Sequence, residues 1–445
     1  MQGENIGARP SKRSPHDPRS KKDLLAMHNK QTSPRLLVLG SMHEFCLLVQ
    51  RARERGCRAI VADGYADGPA RAFADESYLV DIRNRDAVAE LCRKQHIDVL
   101  VASFSDILFE SGCLASHAVG LPATCSLEAL DYLRDKNLMK RMFDDLGIPH
   151  PAGRTVPTRN DGDDLADLRF PCVVKPLNGY GSYDLCVAQS AEDARAFADH
   201  LASEGHDQAL VEEYDTGHEF NMMCWVVGGR VHVLSIADRE KTWRGPREVP
   251  HVSRIVYPSR FTADVIDEAS RYAQGIADYL GLLNSPLCIQ FFWSPGEGVR
   301  ICEVAGRIFG YEHELLEYAS GLAVEDLLLD LALGDDVAPR LSAHDPLAFS
   351  SCCCGVYFHT RGGEPVDLGA AHEAFEAAGA REWLVYYDEG EVMTEGRGGK
   401  PYVARAYLQA SSREQLDEAT RTVFASFSVK DAEGRQLVLP NELPA

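Results

Sequence analysis

Long apolar runs are absent from this chain: nowhere do about 18 apolar residues follow one another, as a bilayer span requires. The N-terminus also lacks the apolar core of a secretory leader. Basic charge is in short supply. Lys and Arg number 46 against 67 Asp and Glu, a formal net charge of −21. A face that neutralises phosphates needs the opposite balance, which argues against nucleic acid and an anionic membrane as partners. The 13 cysteines are an odd number, are scattered, and include no CxxC pair. They read as free thiols of a reducing cytoplasm, not as a disulfide framework. The triplet Cys352-Cys353-Cys354 lies in a strand-like run, where alternation sends neighbours to opposite faces.

Familiar catalytic signatures are missing too. No GxxxxGK[ST] loop opens a helix, and no GxSxG elbow or Cys/His pairing suggests a nucleophile. The first strand is followed by Gly40-Ser-Met-His-Glu44, not by the GxGxxG of a dinucleotide fold, although Asp63 stands where a ribose-binding acid could.

What is present is a multidomain pattern. A chain of 445 residues suggests two to four domains at the usual size of roughly 100–200 residues. Residues 1–33 hold seven Lys/Arg against three Asp/Glu without periodicity, and read as a disordered basic tail. Residues 34–134 then alternate strand, helix and strand (Leu36–Leu39, Met42–Arg55, Arg58–Ala62, 86–95, Asp98–Ala102), a doubly wound α/β beginning. A helix over 135–146 stops at Gly147-Ile-Pro149 and opens a region running to 345. The last region, 346–445, is α+β and β-rich. It has strand-like runs at Cys352–Phe358, Trp383–Tyr387 and Val403–Ala410, with one helix near 412–425.

Four stretches of the central region concentrate the polar chemistry. "VVKPLNGYGSYDLCV" (173–187) is a glycine-spaced hairpin tip with Lys175 at its entrance, followed by the helix start Ser190-Ala-Glu-Asp193. "LVEEYDTGHEFN" (210–221) carries Glu212, Glu213 and Glu219. "PLCIQFFW" (286–293) places Gln290 within an apolar strand. "VRICEVAGRIFGYEHE" (299–314) sets Glu303 at a strand end with Arg307 four residues on. A Pro-Gly-Glu-Gly turn at 295–298 separates the last two, so Gln290 and Glu303 can face one point. Two converging oxygen donors suit Mg2+; a buried Gln–Glu hydrogen bond explains them equally.

These stretches, in this order, resemble the ATP-grasp carboxylate–amine ligases over about 35–430. The resemblance implies a doubly wound pre-ATP-grasp domain, a two-part ATP-grasp domain at 135–345 with a lid hairpin at about 170–190, and a C-terminal domain. It implies that Lys136 (after Asp135) and Lys175 hold phosphates under the Asn178–Ser182 loop, with Gly179, Gly181 and Ser182 in its backbone cradle. Glu212, Glu213 and Tyr214 would meet adenine and Glu219 the ribose. Gln290 and Glu303 would ligate Mg2+ (or Mn2+), and Arg307 would hold the acyl phosphate or substrate carboxylate. Relatives that read E-x-N-P-R have a further ligand where this chain has Ala305. The small-residue version is similar to L-amino acid ligases, in which Glu248 would supply the missing metal ligand, His251 a substrate contact, and Gly310-Tyr311 the pocket wall. His313 and Glu314 read as helix surface. The expected activity is ATP-dependent joining of two amino acids, of dipeptide or γ-glutamyl type and associated with natural-product assembly, releasing ADP and phosphate. Purine-biosynthesis or biotin-carboxylase ligation is the alternative, although the biotin-carrier motif Ala-Met-Lys-Met is absent. Small-molecule amino acids and a homodimer are the partners the resemblance implies, in the cytoplasm.

Overall fold

Four short strands build a parallel sheet first. β1 (Arg35–Leu39), β2 (Arg58–Asp63), β3 (Glu76–Leu79) and β4 (Val99–Ala102) pair in the order β3-β2-β1-β4. Parallel neighbours need crossovers, and the helices Cys46–Glu54 and Arg85–Lys94 supply them between β1 and β2 and between β3 and β4. Leu36–Leu39 and Ala59–Ala62 are wholly buried, as strands in a covered parallel sheet are. β3 has no apolar run and lies half-exposed at the sheet edge, so periodicity does not reveal it. Because β2 and β4 flank β1 on opposite sides, the carboxyl ends of β1 and β4 form a topological switch point.

A second, antiparallel sheet follows. β5 (Gly153–Pro157), β6 (Cys172–Pro176), β7 (Cys186–Ala188) and β8 (Gln208–Glu213) lie in the order β5-β8-β6-β7. β6 and β7 form the expected hairpin, with Cys172 opposite Ala188 and Val174 opposite Cys186. Ser190 caps the next helix, Ala191–Ser203, accepting the Asp193 N–H at 3.1 Å, while Asp193 accepts the Gln189 N–H at 3.0 Å.

The remaining strands make one eight-stranded sheet. They are β9 (His218–Val227), β10 (Arg230–Thr242), β11 (His251–Tyr257), β12 (Asn284–Ser294), β13 (Gly298–Ala305), β14 (Cys352–Phe358), β15 (Glu382–Val385) and β16 (Ala404–Ala410), ordered β13-β12-β9-β10-β11-β14-β16-β15. The sheet continues across position 345 through the β11–β14 pair, Arg254 opposite Val356. Alternation splits the core over its two faces: Met223 and Trp225 join one cluster, Met222, Cys224 and Val226 another. The cysteine triplet obeys the same rule, with Cys353 in one cluster and Cys354 in a different one, and all thirteen thiols are free. The C-terminal region holds the expected helix, Arg413–Ser426, and a second, Gly369–Ala377, that sequence reading passed over. That helix opens on glycine and buries two alanines and one phenylalanine, too faint a stripe to register as periodic.

This computed structural model describes residues 33–159, 165, 168–177, 185–243, 245, 249–393 and 402–444. Contacts group Pro34–Ala445 as one unit and Met1–Ser33 as another, and the basic tail expected at 1–33 lies, Ser33 apart, outside the described residues. No helix among the described residues is long and apolar enough to cross a membrane.

Candidate active site

Register places a row of polar residues straight across three strands. Asn221 on β9 is opposite Gln290 on β12, and Gln290 is opposite Glu303 on β13. Just beyond Gln290 the β12–β13 register shifts, a bulge of the kind that re-aims side chains beside functional sites. Gln290 donates its Nε2–H to Glu219 at 2.5 Å, which leaves its amide carbonyl as the group available to a cation. Glu303 is half-buried and makes no hydrogen bond or ion pair among the described residues. Lys136, Lys175, Arg239 and Arg307 all feel its charge. An unbonded carboxylate whose charge reaches four cations, opposite an amide with a spare oxygen, fits a hard divalent ion and its phosphate ligands. Among the described residues no three His, Cys, Asp or Glu side chains form a metal cluster, and Glu248 lies outside them. So do Gly179, Gly181 and Ser182 of the hairpin tip.

The lysines are positioned by local structure. Asp135 caps the helix Lys136–Leu146 by accepting the N–H groups of Asn137 and Leu138 at 2.7 and 3.1 Å. Lys136 and Lys140, four residues apart, therefore share a face of that helix. Lys136 Nζ donates to the Leu177 carbonyl at 3.1 Å, at the base of the hairpin tip. Glu212, only 4% exposed, bridges Lys140 and Lys175 at 2.6 and 2.5 Å. Its side chain is thus committed to two ammonium groups, and any contact with a base falls to the neighbouring backbone. Glu213 instead pairs outward with Arg169 at 2.7 Å, and the Tyr214 N–H is given to the Pro171 carbonyl. Glu219 is buried against Arg239 at 2.9 Å and against Lys241.

Burial alone would raise the Glu212 carboxyl, but Lys175 and Lys140 outweigh it and take it from an ordinary 4.5 to about 2. The stabilisation this confers is complete above roughly pH 5 and is lost as pH falls toward 2. His313 behaves oppositely. Burial would lower it, yet Glu314 and Glu325 carry it to about 9, so its contribution is whole below its ordinary 6.5 and is lost as pH rises through 9. Denaturation midpoints measured across pH are expected to fall on both shoulders, with Glu212→Gln flattening the acid one. An acid shoulder unchanged in that variant would refute the Glu212 assignment.

Arg307 is held by Asp106, the first residue of the helix Asp106–Val119 that follows β4, through two bonds of 2.9 Å. Its strand-end loop is pressed against the β4 loop. A Cβ on Gly310 would sit 2.6 Å from the Phe104 carbonyl, so only glycine fits there. Tyr311 follows, its carbonyl accepting the hydroxyls of Tyr357 and Tyr407 at 2.7 and 2.9 Å. His251 bonds Asn441 at 2.9 Å and lies 4.8 Å from the His359 ring, at the edge toward the C-terminal strands. His313 and Glu314 are a correction: both are buried, His313 completely, because its ring bonds the Gly310 carbonyl and Glu325 at 2.6 and 2.8 Å.

Several site residues escaped sequence reading. Lys140 had a usable signal in its i+4 spacing from Lys136. Arg239 and Lys241 had one as well, being two apart on a strand and so on one face. Asp106 and the buried Glu312, which accepts from Asn221 and Tyr257, had none.

A scan against protein-family models finds no match. A formate-dependent phosphoribosylglycinamide formyltransferase of Methanocaldococcus jannaschii is 23% identical over 266 residues, 56% of this chain and 64% of that protein, less than two thirds of the relative's length. Among solved structures, an L-amino acid ligase from Bacillus licheniformis superposes with a TM-score of 0.76 at 15% identity, covering 90% of this chain and 99% of that one. The biotin carboxylase domain dimer of Hydrogenobacter thermophilus 2-oxoglutarate carboxylase, solved with MgADP, ADP and bicarbonate, gives 0.70 at 14% identity over 90% and 91%.

Proposed function

From the ATP-grasp fold of this chain, we propose that it is an ATP-dependent carboxylate–amine ligase that joins two amino acids and releases ADP and phosphate. One observation carries the reading: Glu303, a half-buried carboxylate without a hydrogen bond or ion pair among the described residues, stands opposite Gln290, and Lys136, Lys175, Arg239 and Arg307 feel its charge. That arrangement fits a site for phosphates and Mg2+, with Glu303 and Gln290 as ligands and Glu248 as the third the resemblance implies. Mg2+ would neutralise phosphate charge there. Lys136 and Lys175 would hold phosphate oxygens as point charges, and Arg307, fixed by Asp106, would present its remaining guanidinium edge to the reacting carboxylate. In such a reaction the γ-phosphoryl group moves to a carboxylate oxygen. The amine nitrogen then attacks the carbonyl carbon, the C–O bond to phosphate breaks, and the ammonium proton is lost. No side-chain nucleophile is needed, in keeping with the sequence.

Amino acids are favoured as substrates by the similarity to the L-amino acid ligase over nearly the whole of both chains. Ala305 in place of the E-x-N-P-R asparagine points the same way. A purine-type ligase is the second reading, supported by the match to the formyltransferase. Phosphate release from ATP and Mg2+, assayed against a matrix of paired amino acids with products identified by mass, separates them. The expected result is ADP and phosphate with particular pairs only, alongside a new amide mass. Release indifferent to amino acids would favour the purine-type reading, and AMP with pyrophosphate would overturn both.

A further inference from the structure

The loops leaving β1 and β4 at the switch point carry a group that the site above does not use. Asp63, at the end of β2, accepts the Ser41 N–H and hydroxyl at 2.7 and 2.8 Å and so pins the loop after β1. Gly40 turns that loop at φ +116°, where a Cβ would lie 2.3 Å from the Phe45 ring. The loop is therefore built to one shape, and it buries Glu44, which is 8% exposed. Among the described residues that carboxylate has no hydrogen bond or ion pair beyond its own backbone N–H, and burial pushes it up.

Three other elements converge on Glu44. Arg405, from β16 and 2% exposed, donates to the Tyr407 hydroxyl at 2.5 Å, and meets Glu314 only at 3.6 Å. Its guanidinium lies 5.8 Å from the Tyr311 ring. Tyr386 keeps a buried hydroxyl with no hydrogen-bond partner among the described residues, and its ring meets His43 edge-on at 6.5 Å. Glu44 and Arg405 feel each other's charge, and Tyr311 and Tyr386 feel both. The surrounding charges pair off as Arg405 with Glu314, His313 with Glu325, and Arg51 with Glu317. Glu44 is left over.

Glu44 feels the charges of Arg405 and His313 but bonds neither, and a buried carboxylate with no bonded partner is costly unless something completes it. The complement must bring positive charge to Glu44, and Arg405, loosely met by Glu314, has an edge for an anion. An α-amino acid carries both, and the Tyr311 and Tyr386 rings suit an ammonium group. We propose that Glu44 and Arg405 bind an α-amino acid as its zwitterion, ammonium on Glu44 and carboxylate toward Arg405. In the ligase proposed above this amino acid would be one of the two that are joined, a role that rests on that reading; the binding itself does not.

Calorimetric titration of the full chain, with MgADP present, tests it using L-alanine, L-leucine and L-phenylalanine, each beside its deaminated acid and its decarboxylated amine. At least one amino acid is expected to bind more tightly than both of its analogues. Glu44→Gln should weaken that amino acid by roughly 10-fold or more, while leaving the deaminated acid unchanged. The glutamine variant should melt no lower than the parent, because it removes a buried charge. Equal amino-acid affinity in Glu44→Gln, no amino acid binding at all, or a deaminated acid that binds as well as its parent would overturn the subsite. Amide formation that persists with affinity untouched by Glu44→Gln counts against the subsite alone. Glu44-dependent binding without any amide product counts against the ligase reading alone.

Discussion

Replacing Glu303 by glutamine is expected to lower ATP-dependent phosphate release by roughly 10²- to 10³-fold, the scale on which single groups stabilise charge in a reaction's transition state. The substitution keeps shape and volume, so the loss is electrostatic. Glu303 is the unbonded carboxylate whose charge Lys136, Lys175, Arg239 and Arg307 all feel. A neutral amide there removes a negative charge that all four cations feel and weakens the hold on a divalent ion. Two readouts separate these effects. A Mg2+ titration of the variant should show a raised half-saturating concentration, and the rate at saturating Mg2+ should stay depressed. The fold should be preserved, because no hydrogen bond of Glu303 to a described residue is broken. Turnover equal to the parent at ordinary Mg2+ would remove Glu303 from the site and take the proposed function's carrying observation with it.

Why Glu303 could be found from sequence and Glu44 could not is a matter of range. Gln290 and Glu303 belong to consecutive strands joined by a tight turn, so the sequence brings them close, but counting back from Pro295-Gly-Glu-Gly298 sets Gln290 opposite Cys302, and the bulge beyond Gln290 is what brings Glu303 to face it. The hairpin around Lys175 is legible for the same reason, as is the helix started by Asp135. The parallel sheet reads from its buried strands, whereas β3 at its edge buries too little to be seen. Asp106 and Arg307 are 201 residues apart, and their pairing depends on how the loop after β4 meets the loop after β13. Glu314 and Arg405 come from elements far apart in sequence in the same way, so His313 and Glu314 looked like helix surface until β16 covered them. Local periodicity says which face of an element is apolar; it does not say which other element will bring a charge to it.

Glu212→Gln tests the other end of the site, and its largest effect is expected on stability: a loss of about 3–5 kcal/mol, the usual result of removing one member of a buried ion pair. The cost is not that of a missing hydrogen bond. Lys140 and Lys175, with side chains only 13% and 16% exposed, would be left close together without the carboxylate that both now touch. Denaturant midpoints measure it directly, and Lys175→Met in the glutamine background should recover part of the loss by removing one of the two stranded charges. Bound nucleotide gives a sharper comparison. If Lys175 serves phosphate oxygens, these supply the negative charge the variant lacks, so saturating MgADP should raise the variant's midpoint by more than it raises the parent's. Equal nucleotide stabilisation in the two proteins would mean that Glu212 and phosphate do not share Lys175. The lysine would then be a structural partner of Glu212, and the phosphates would have to be held by Lys136 and Arg307.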